Sequence, residues 1–146
     1  MRTLGIDLGT RRVGLAMSDE GGKFATPLEV LQITNPDQAM TKVVEILRRE
    51  GVERIVLGLP LNMDDSIGPA AKQAIVWGRK LSAESGKTVV FVDERLSSFE
   101  AEQGIIDRKR GGEKITRKRK KEQLDALAAA SFLQSFLDGK LAAIDV

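Results

Sequence analysis

Residues 3–18, TLGIDLGTRRVGLAMS, predict two consecutive β-strands. Across 3–9, leucine and isoleucine alternate with glycine and aspartate, which is the two-residue period of a strand. A second strand follows at 13–18 after a short link, and a third is predicted at 28–33, beyond a turn at 19–22. Because links this short join antiparallel neighbours, we expect the three strands to form an antiparallel meander.

The rest of the chain alternates between helices and strands. Asn35 as N-cap and Pro36 at the first helical position predict a helix that ends before Gly51. The further predicted elements are strands at 54–59 and 88–92, both apolar enough to be buried on two faces, and helices at 68–85, from Ser97 onward and at 122–137. This order predicts an α/β fold, in which helices cover both faces of one mixed sheet. Without a linker or an internal repeat, residues 1–146 are expected to form a single domain.

Three residue types are absent, because the chain has no cysteine, no histidine and no tyrosine. Disulfide frameworks, thiolate zinc sites and thiol or imidazole catalysis are therefore excluded. Any chemistry must use carboxylates, hydroxyls, lysine and arginine, and carboxylates suit the hard cations Mg²⁺ and Mn²⁺. The N-terminus reaches a carboxylate before any apolar run of signal-peptide length, and no stretch is apolar enough to span a bilayer. We therefore expect a cytoplasmic protein.

Positive charge is concentrated in residues 107–121, which we call the basic segment. It holds 9 basic and 2 acidic residues, whereas the rest of the chain holds 14 basic and 19 acidic residues. A cationic strip on an acidic body favours a polyanionic partner, and nucleic acid is the commonest one. The alternative is a solvated loop whose charge only aids solubility.

Acidic residues occur at two strand positions where a carboxylate is unusual. Asp7 lies in the first strand on a face otherwise lined by Gly5 and Gly9, which leave room for another backbone or a ligand. The alternative is a structural aspartate bonded to a turn amide. Asp93 and Glu94 end the last strand, at the sheet edge where α/β proteins bind ligands. Alternation does not tell which of these two acids is structural, for example in an ion pair with the next residue.

Asp125 shares one face of the last predicted helix with Ala128, Ala129, Phe132 and Phe136. The small alanines would let this helix carry the acid close to the sheet. The alternative is that Asp125 acts on the helix dipole from the first turn. If the three acids meet, their repulsion calls for divalent cations, and two Mg²⁺ ions would activate water for an in-line phosphodiester displacement. The residues thus favour a metal-dependent nuclease.

Four motifs resemble the YqgF family, also called RuvX, the pre-16S ribosomal RNA nucleases similar to RuvC-type Holliday junction resolvases. The motifs are DLGTRRVGLA at 7–16, GLPLNMD at 58–64, DERLS at 93–97 and DALAA at 125–129. The resemblance covers nearly the whole chain. It implies a ribonuclease-H-like fold with a five-stranded mixed sheet, an antiparallel meander plus two parallel strands, flanked by helices. It also implies that Asp7, Glu94 and Asp125 are the catalytic carboxylates and hold a two-metal Mg²⁺ or Mn²⁺ site.

The activity that the resemblance implies is hydrolysis of structured nucleic acid, at the 5′ end of pre-16S ribosomal RNA. The alternatives are a Holliday junction resolvase acting on branched DNA and a non-catalytic RNA-binding module. The expected phosphate contacts are Arg11, Arg12, Arg117, Lys118, Arg119, Lys120 and Lys121. Two positions differ from the family pattern. Asp65 stands where members often have glycine, and Glu122, three residues before Asp125, is either the counterpart of a second resolvase acid or a surface acid.

Overall fold

The computed structural model describes residues 1–95 and 117–146, with the backbone alone at 117–123. The elements in these ranges are β1 (Thr3–Leu8), β2 (Arg12–Ser18), β3 (Ala25–Gln32), α1 (Pro36–Arg49), β4 (Arg54–Leu59), α2 (Pro69–Ser85), β5 (Thr88–Asp93) and α3 (Arg117–Leu137). The helix predicted from Ser97 onward and the first part of the basic segment, 107–116, lie outside the described residues.

One five-stranded sheet with the order β3-β2-β1-β4-β5 connects the strands. β1 pairs antiparallel with β2, and β2 with β3, which confirms the predicted meander. β1 pairs parallel with β4, and β4 with β5. The α/β class and the mixed sheet are therefore confirmed, and the strand that carries Asp7 is the central one.

Helices cover both faces of the sheet. Leu4 of β1 packs in a core shared with α1 and α2, to which Leu81 belongs. On the opposite face, Val56 of β4 packs with Phe132 of α3. Because side chains alternate along a strand, Asp7 lies on the face covered by α3. Among the described helices, none combines the length and the hydropathy that crossing a membrane requires.

The last helix begins earlier than predicted. α3 starts at Arg117, so residues 117–121 of the basic segment are helical and the prediction of a loop is wrong for them. Lysine and arginine are good helix formers, so a run of positive charge does not by itself end a helix. Asp125 therefore lies in the third turn of α3. This position excludes the alternative that Asp125 stabilises the helix dipole as an acid of the first turn.

The strands near the parallel edge differ in burial. β4 lies between β1 and β5 and is buried from Ile55 to Leu59, as predicted. β5 was expected to be buried on both faces, but only Phe91 and Val92 are buried and Thr88 is exposed. The expectation was wrong because β5 is the last strand of the described sheet, and its beginning lacks a neighbour on one side.

Glycines on the inner face let α3 approach the sheet closely. A Cβ atom on Gly5 would lie 3.1 Å from the carbonyl oxygen of Ala129, and a Cβ atom on Gly14 would lie 2.1 Å from that of Asp125. The room predicted beside Gly5 is therefore filled by a helix backbone rather than by a ligand. Gly14 also pairs with Asp7 across β1 and β2, so this contact places the backbone of Asp125 near Asp7.

Gly14→Ala is expected to lower the free energy of unfolding by about 3 kcal/mol, because the added methyl group meets backbone that cannot rotate away. Chemical denaturation in urea measures the difference. Gly21→Ala is the matched control, since its Cβ atom would meet only a movable side-chain oxygen of Asp19 at 3.3 Å. Equal stabilities of the two variants would show that α3 does not press on Gly14 as described.

Candidate active site

Asp7 is held by the two central strands of the sheet. Its half-buried side chain lies near the end of β1, and its cross-strand partner on β2 is Gly14. It also lines a cavity of about 290 Å³ at this end of the sheet, together with Glu94 and residues of the neighbouring loops and helices. The fold therefore places the carboxylate of Asp7 where a small ligand can reach it.

Glu94 follows β5 and lies beside the end of β4. Its backbone N–H donates to the carbonyl oxygen of Leu59 at 3.3 Å. A Cβ atom on Gly58 would lie 2.6 Å from Oε2 of Glu94, so the absence of a side chain at 58 makes room for this carboxyl group. Glu94 is thereby turned toward the face of α3, where Asp7 also lies.

Asp7 and Glu94 form a hydrogen-bonded carboxyl pair. Burial is the main cause that raises the pKa of Glu94 to about 9, and the negative charge of Asp7 adds to it. Burial also raises the pKa of Asp7, although the hydrogen bond from Glu94 acts in the opposite direction. Near neutral pH, Glu94 is therefore protonated, and its carboxyl group donates a hydrogen bond to the carboxylate of Asp7.

Asp125 lies near this pair, but its carboxylate forms an ion pair with Arg12. Its charge contributes to the raised pKa of both Asp7 and Glu94. Its Oδ2 accepts a hydrogen bond from Nε of Arg12 at 2.6 Å, and its side chain is 25% exposed. Within the described part of the chain, three acids do not come close enough together to hold one metal ion. The structure thus joins two of the three predicted acids and places the third beside Arg12.

Asp93 has a different environment from Glu94. Nε of Arg95 lies 3.0 Å from each carboxylate oxygen of Asp93, and this hydrogen bonding lowers the pKa of Asp93. Asp93 is thus engaged in the local ion pair that was one alternative for a strand-end acid. Glu94, not Asp93, is the neighbour of Asp7.

The donors near Asp7 suit a hard divalent cation. They are carboxylate oxygens, which Mg²⁺ and Mn²⁺ prefer to nitrogen or sulfur. Burial raises the pKa of both acids, the charge of Asp7 raises the pKa of Glu94 further, and a cation between them would stabilise their charged forms. Asp7 and Glu94 therefore fit such an ion, whereas the carboxylate of Asp125 is engaged by Arg12.

The other predicted contacts are only partly described. Arg11 is exposed, whereas Arg12 is 35% exposed and engaged with Asp125. Residues 117–121 lie in the first turns of α3, and their side chains, like that of Glu122, lie outside the described residues. No local pattern predicts the pairing of Arg12 with Asp125, since 113 positions separate the two residues.

Asp65 shows how the loop between β4 and α2 tolerates a residue other than glycine. Its φ of +69° lies in the left-handed region that favours glycine. The guanidinium group of Arg95 binds the Asp65 carboxylate and donates to the carbonyl oxygen of Asn62 at 2.8 Å. Arg95 therefore anchors this loop beside the end of β5, where Asp93 is held as well.

We expect Asp65→Gly to preserve the backbone conformation of the loop, because glycine adopts the left-handed region without steric cost. Asp65→Ala should lower the free energy of unfolding by about 1 kcal/mol relative to Asp65→Gly, since alanine keeps the backbone penalty and both variants lose the ion pair. Urea titrations of the two variants measure this order. An alanine variant as stable as the glycine variant would contradict the described conformation.

A family model described as RuvX, Holliday junction resolvase, matches residues 1–139. The chain belongs to the RuvX family. Two similar proteins carry the name "Putative pre-16S rRNA nuclease". The one from Desulforudis audaxviator is 38% identical over 140 residues, which are 96% of this chain and 96% of that protein. The one from Geobacillus kaustophilus is 40% identical over 142 residues, covering 96% and 99% respectively.

The fold of this RuvX family member is also found in solved resolvase structures. RuvC of Thermus thermophilus, solved in complex with a Holliday junction substrate, matches with a TM-score of 0.58 over 99% of both chains. Its sequence identity of 18% makes this a likeness of fold alone. The resolvase neighbour confirms the ribonuclease-H-like arrangement of the mixed sheet, and the family membership makes the chain a member of a nuclease family.

Proposed function

We propose that the chain is a metal-dependent nuclease that hydrolyses phosphodiester bonds in structured nucleic acid. The hydrogen-bonded pair of Asp7 and Glu94 at the end of β1 is the observation that carries this proposal. Two desolvated acids beside a cavity, in a chain without histidine or cysteine, have few chemical uses other than binding a hard cation. We take residues 1–146 as one nuclease domain.

In the proposed reaction, the three acids together would hold the metal. Asp7 and Glu94 would hold Mg²⁺ or Mn²⁺, and Glu94 must first release the proton that it shares with Asp7. Asp125 would complete the donor set on leaving Arg12, whose guanidinium group is then available to a phosphate. The bound metal pair would supply an activated water and stabilise the leaving oxygen.

Precursor 16S ribosomal RNA is the substrate that we propose, with cleavage at its 5′ end in the cytoplasm. The names of the two relatives support this choice, because their sequences match this chain over nearly the full length. Cleavage of branched DNA is the second candidate, favoured by the description of the family and by the fold shared with RuvC. A non-catalytic RNA-binding module would use the same basic segment but would not need the carboxyl pair.

A cleavage assay on precursor RNA and on a branched DNA distinguishes the three candidates. Each substrate is incubated with Mg²⁺, Mn²⁺ or Ca²⁺, and products are separated by size. Cleavage of the RNA with Mg²⁺ or Mn²⁺ supports the proposal, and preferential cleavage of the branched DNA supports the resolvase. Tight binding without cleavage of either substrate under any of these conditions would favour the binding module.

Replacement of Lys118, Arg119 and Lys120 by alanine is expected to weaken nucleic-acid binding and reduce its dependence on salt. Each lost phosphate contact should lower the slope of log K against log salt concentration by ~0.9 for a duplex and ~0.7 for a single strand. Fluorescence anisotropy at several salt concentrations measures the slope. Lys23 and Lys140, which are exposed at the far end of α3, provide the control as a double alanine variant. An unchanged slope would remove the basic segment from the interface.

A further inference from the structure

The cavity at the two acids lies next to a second cavity along α2, with which it shares two lining residues. The first, of about 290 Å³, is lined by Asp7 and Glu94, and also by Pro36 and Gln73. The second, of about 430 Å³, lies between α1 and α2 and is lined by the same Pro36 and Gln73. The two cavities therefore meet at Pro36 and Gln73, on the side of the carboxyl pair that faces α1 and α2. We call the second cavity the helical groove.

The groove combines an apolar wall with positive charge. Val76 is 66% exposed, although it is apolar, and the indole of Trp77 is fixed behind it by a hydrogen bond from Nε1 to the carbonyl oxygen of Pro36 at 2.9 Å. Lys72 and Lys80 lie one turn before and one turn after Val76 on α2. The wall thus presents an apolar surface between two cations that are ~12 Å apart along the helix axis.

The charges of the groove favour an anionic ligand. Asp37 of α1 is the acid that lines it, and Nζ of Lys80 lies 3.9 Å from its Oδ1. This exposed contact is long and leaves Lys80 able to bind a phosphate. With Lys72 and Lys80 against Asp37, the groove is positive, whereas the chain outside the basic segment has an excess of acidic residues.

We propose that the helical groove binds a single strand of nucleic acid that leads away from the scissile phosphate at Asp7 and Glu94. Unpaired bases would contact the apolar wall at Val76 and Pro36, and the backbone phosphates would contact Lys72 and Lys80. In a duplex the faces of the bases are stacked on one another, so they are not available to contact the apolar wall. The proposal rests on the nuclease function, and it defines the substrate as a structure with an unpaired extension next to the cleavage point.

Charge reversal in the groove tests the proposal by binding rather than by cleavage. Two fluorescent RNA hairpins are compared by anisotropy with Ca²⁺ in place of Mg²⁺, one blunt and one with a single-stranded extension of about eight nucleotides. Lys72→Glu with Lys80→Glu should weaken binding of the extended hairpin about tenfold while changing the blunt hairpin less than about twofold. Lys23→Glu with Lys140→Glu is the control of equal charge, and neither of those residues lines the groove. Circular dichroism checks that both variants are folded.

A unique crosslinking site tests the location directly, because the chain contains no cysteine. Val76→Cys is labelled with a thiol-reactive photocrosslinker, mixed with the extended hairpin and irradiated. The expected product is a covalent adduct with nucleotides of the extension. Lys140→Cys, labelled in the same way, should give at most a small fraction of this yield.

The outcomes separate the groove from the nuclease function. If the native protein binds neither hairpin, the groove proposal fails, and the nuclease function fails with it only when the cleavage assay also gives no product. If it binds both but the Lys72 and Lys80 variant binds the extended hairpin as tightly as the native protein does, the groove proposal alone is overturned. An equal crosslink yield at 76 and 140 would also overturn it, and the groove would then be a surface for another class of partner, such as a protein.

Discussion

Asp7→Asn is expected to lower the rate of Mg²⁺-dependent phosphodiester cleavage by roughly 10³-fold or more while the protein stays folded. Asparagine keeps the shape of the side chain and one carbonyl oxygen, but it removes the negative charge that a divalent cation needs. Asp7 lies on the central strand and contacts Glu94, so the change removes one of the two carboxyl groups that would bind the cation. Single-turnover cleavage with saturating enzyme measures the chemical step without a contribution from binding.

The stability of the same variant distinguishes a catalytic from a structural aspartate. Burial raises the pKa of Asp7, which means that the fold disfavours its charged form. A neutral amide should therefore leave the metal-free protein at least as stable as the native one. A structural aspartate bonded to a turn amide would instead lose stability on replacement. Asp145→Asn, an exposed change near the C-terminus, controls for the loss of one negative charge. Retained cleavage by Asp7→Asn would refute the assignment.

The fold followed from patterns that are local in the chain. The alternation at 3–9 and 13–18 and the short links between strands are sufficient for the meander, because each antiparallel pair is decided by neighbours in sequence. The start of α3 was missed for a local reason too. Lysine and arginine occur in both loops and helices, so the backbone at 117–121 could not be inferred from charge.

The candidate site could be predicted only where an acidic residue occurs in surroundings in which acids are unusual. Asp7 among glycines and Asp125 on an apolar helix face both indicated a special role. Asp93 and Glu94 could not be separated by pattern, because β5 is apolar on both sides and has no period. The structure distinguishes them through contacts distant in sequence, namely Glu94 with Gly58 and Asp93 with Arg95. The engagement of Asp125 by Arg12 is equally distant and could not be deduced from spacing.

The metal-free protein is expected to lose stability as the pH rises from about 5.5 to about 8.5. The pKa of Glu94 is raised from 4.5 to about 9 by burial and by the charge of Asp7, so the folded protein retains a proton that the unfolded chain has already released. A raised pKa adds stability below the unfolded value, and that stability disappears as the pH approaches the folded value. The loss should reach several kcal/mol, because each tenfold change in proton affinity is worth ~1.4 kcal/mol. Urea unfolding in EDTA at several pH values measures it.

The composition of the chain makes this pH range unusually informative. The chain has no histidine, cysteine or tyrosine, whose side chains commonly titrate or begin to titrate between neutral and mildly alkaline pH. Hydrogen bonds lower the pKa of Asp19, Asp64 and Asp93, so these acids affect stability only at a more acidic pH. The terminal amine is common to every variant and cancels in comparisons. The difference in this decline between the native protein and a variant of Asp7 or Glu94 therefore reports on the carboxyl pair.

Two variants and one ion then separate the causes of the decline. Glu94→Gln should flatten the decline, because glutamine has no proton to lose and can still donate a hydrogen bond to Asp7. Asp93→Asn should keep the decline, since Arg95 already stabilises the charged form of that acid. Added Mg²⁺ should stabilise the native protein most at high pH, where both carboxylates are free of protons and can bind the ion. A native protein that gains stability over this range, or a Glu94→Gln variant with the native slope, would mean that Glu94 is not held in its protonated form beside Asp7.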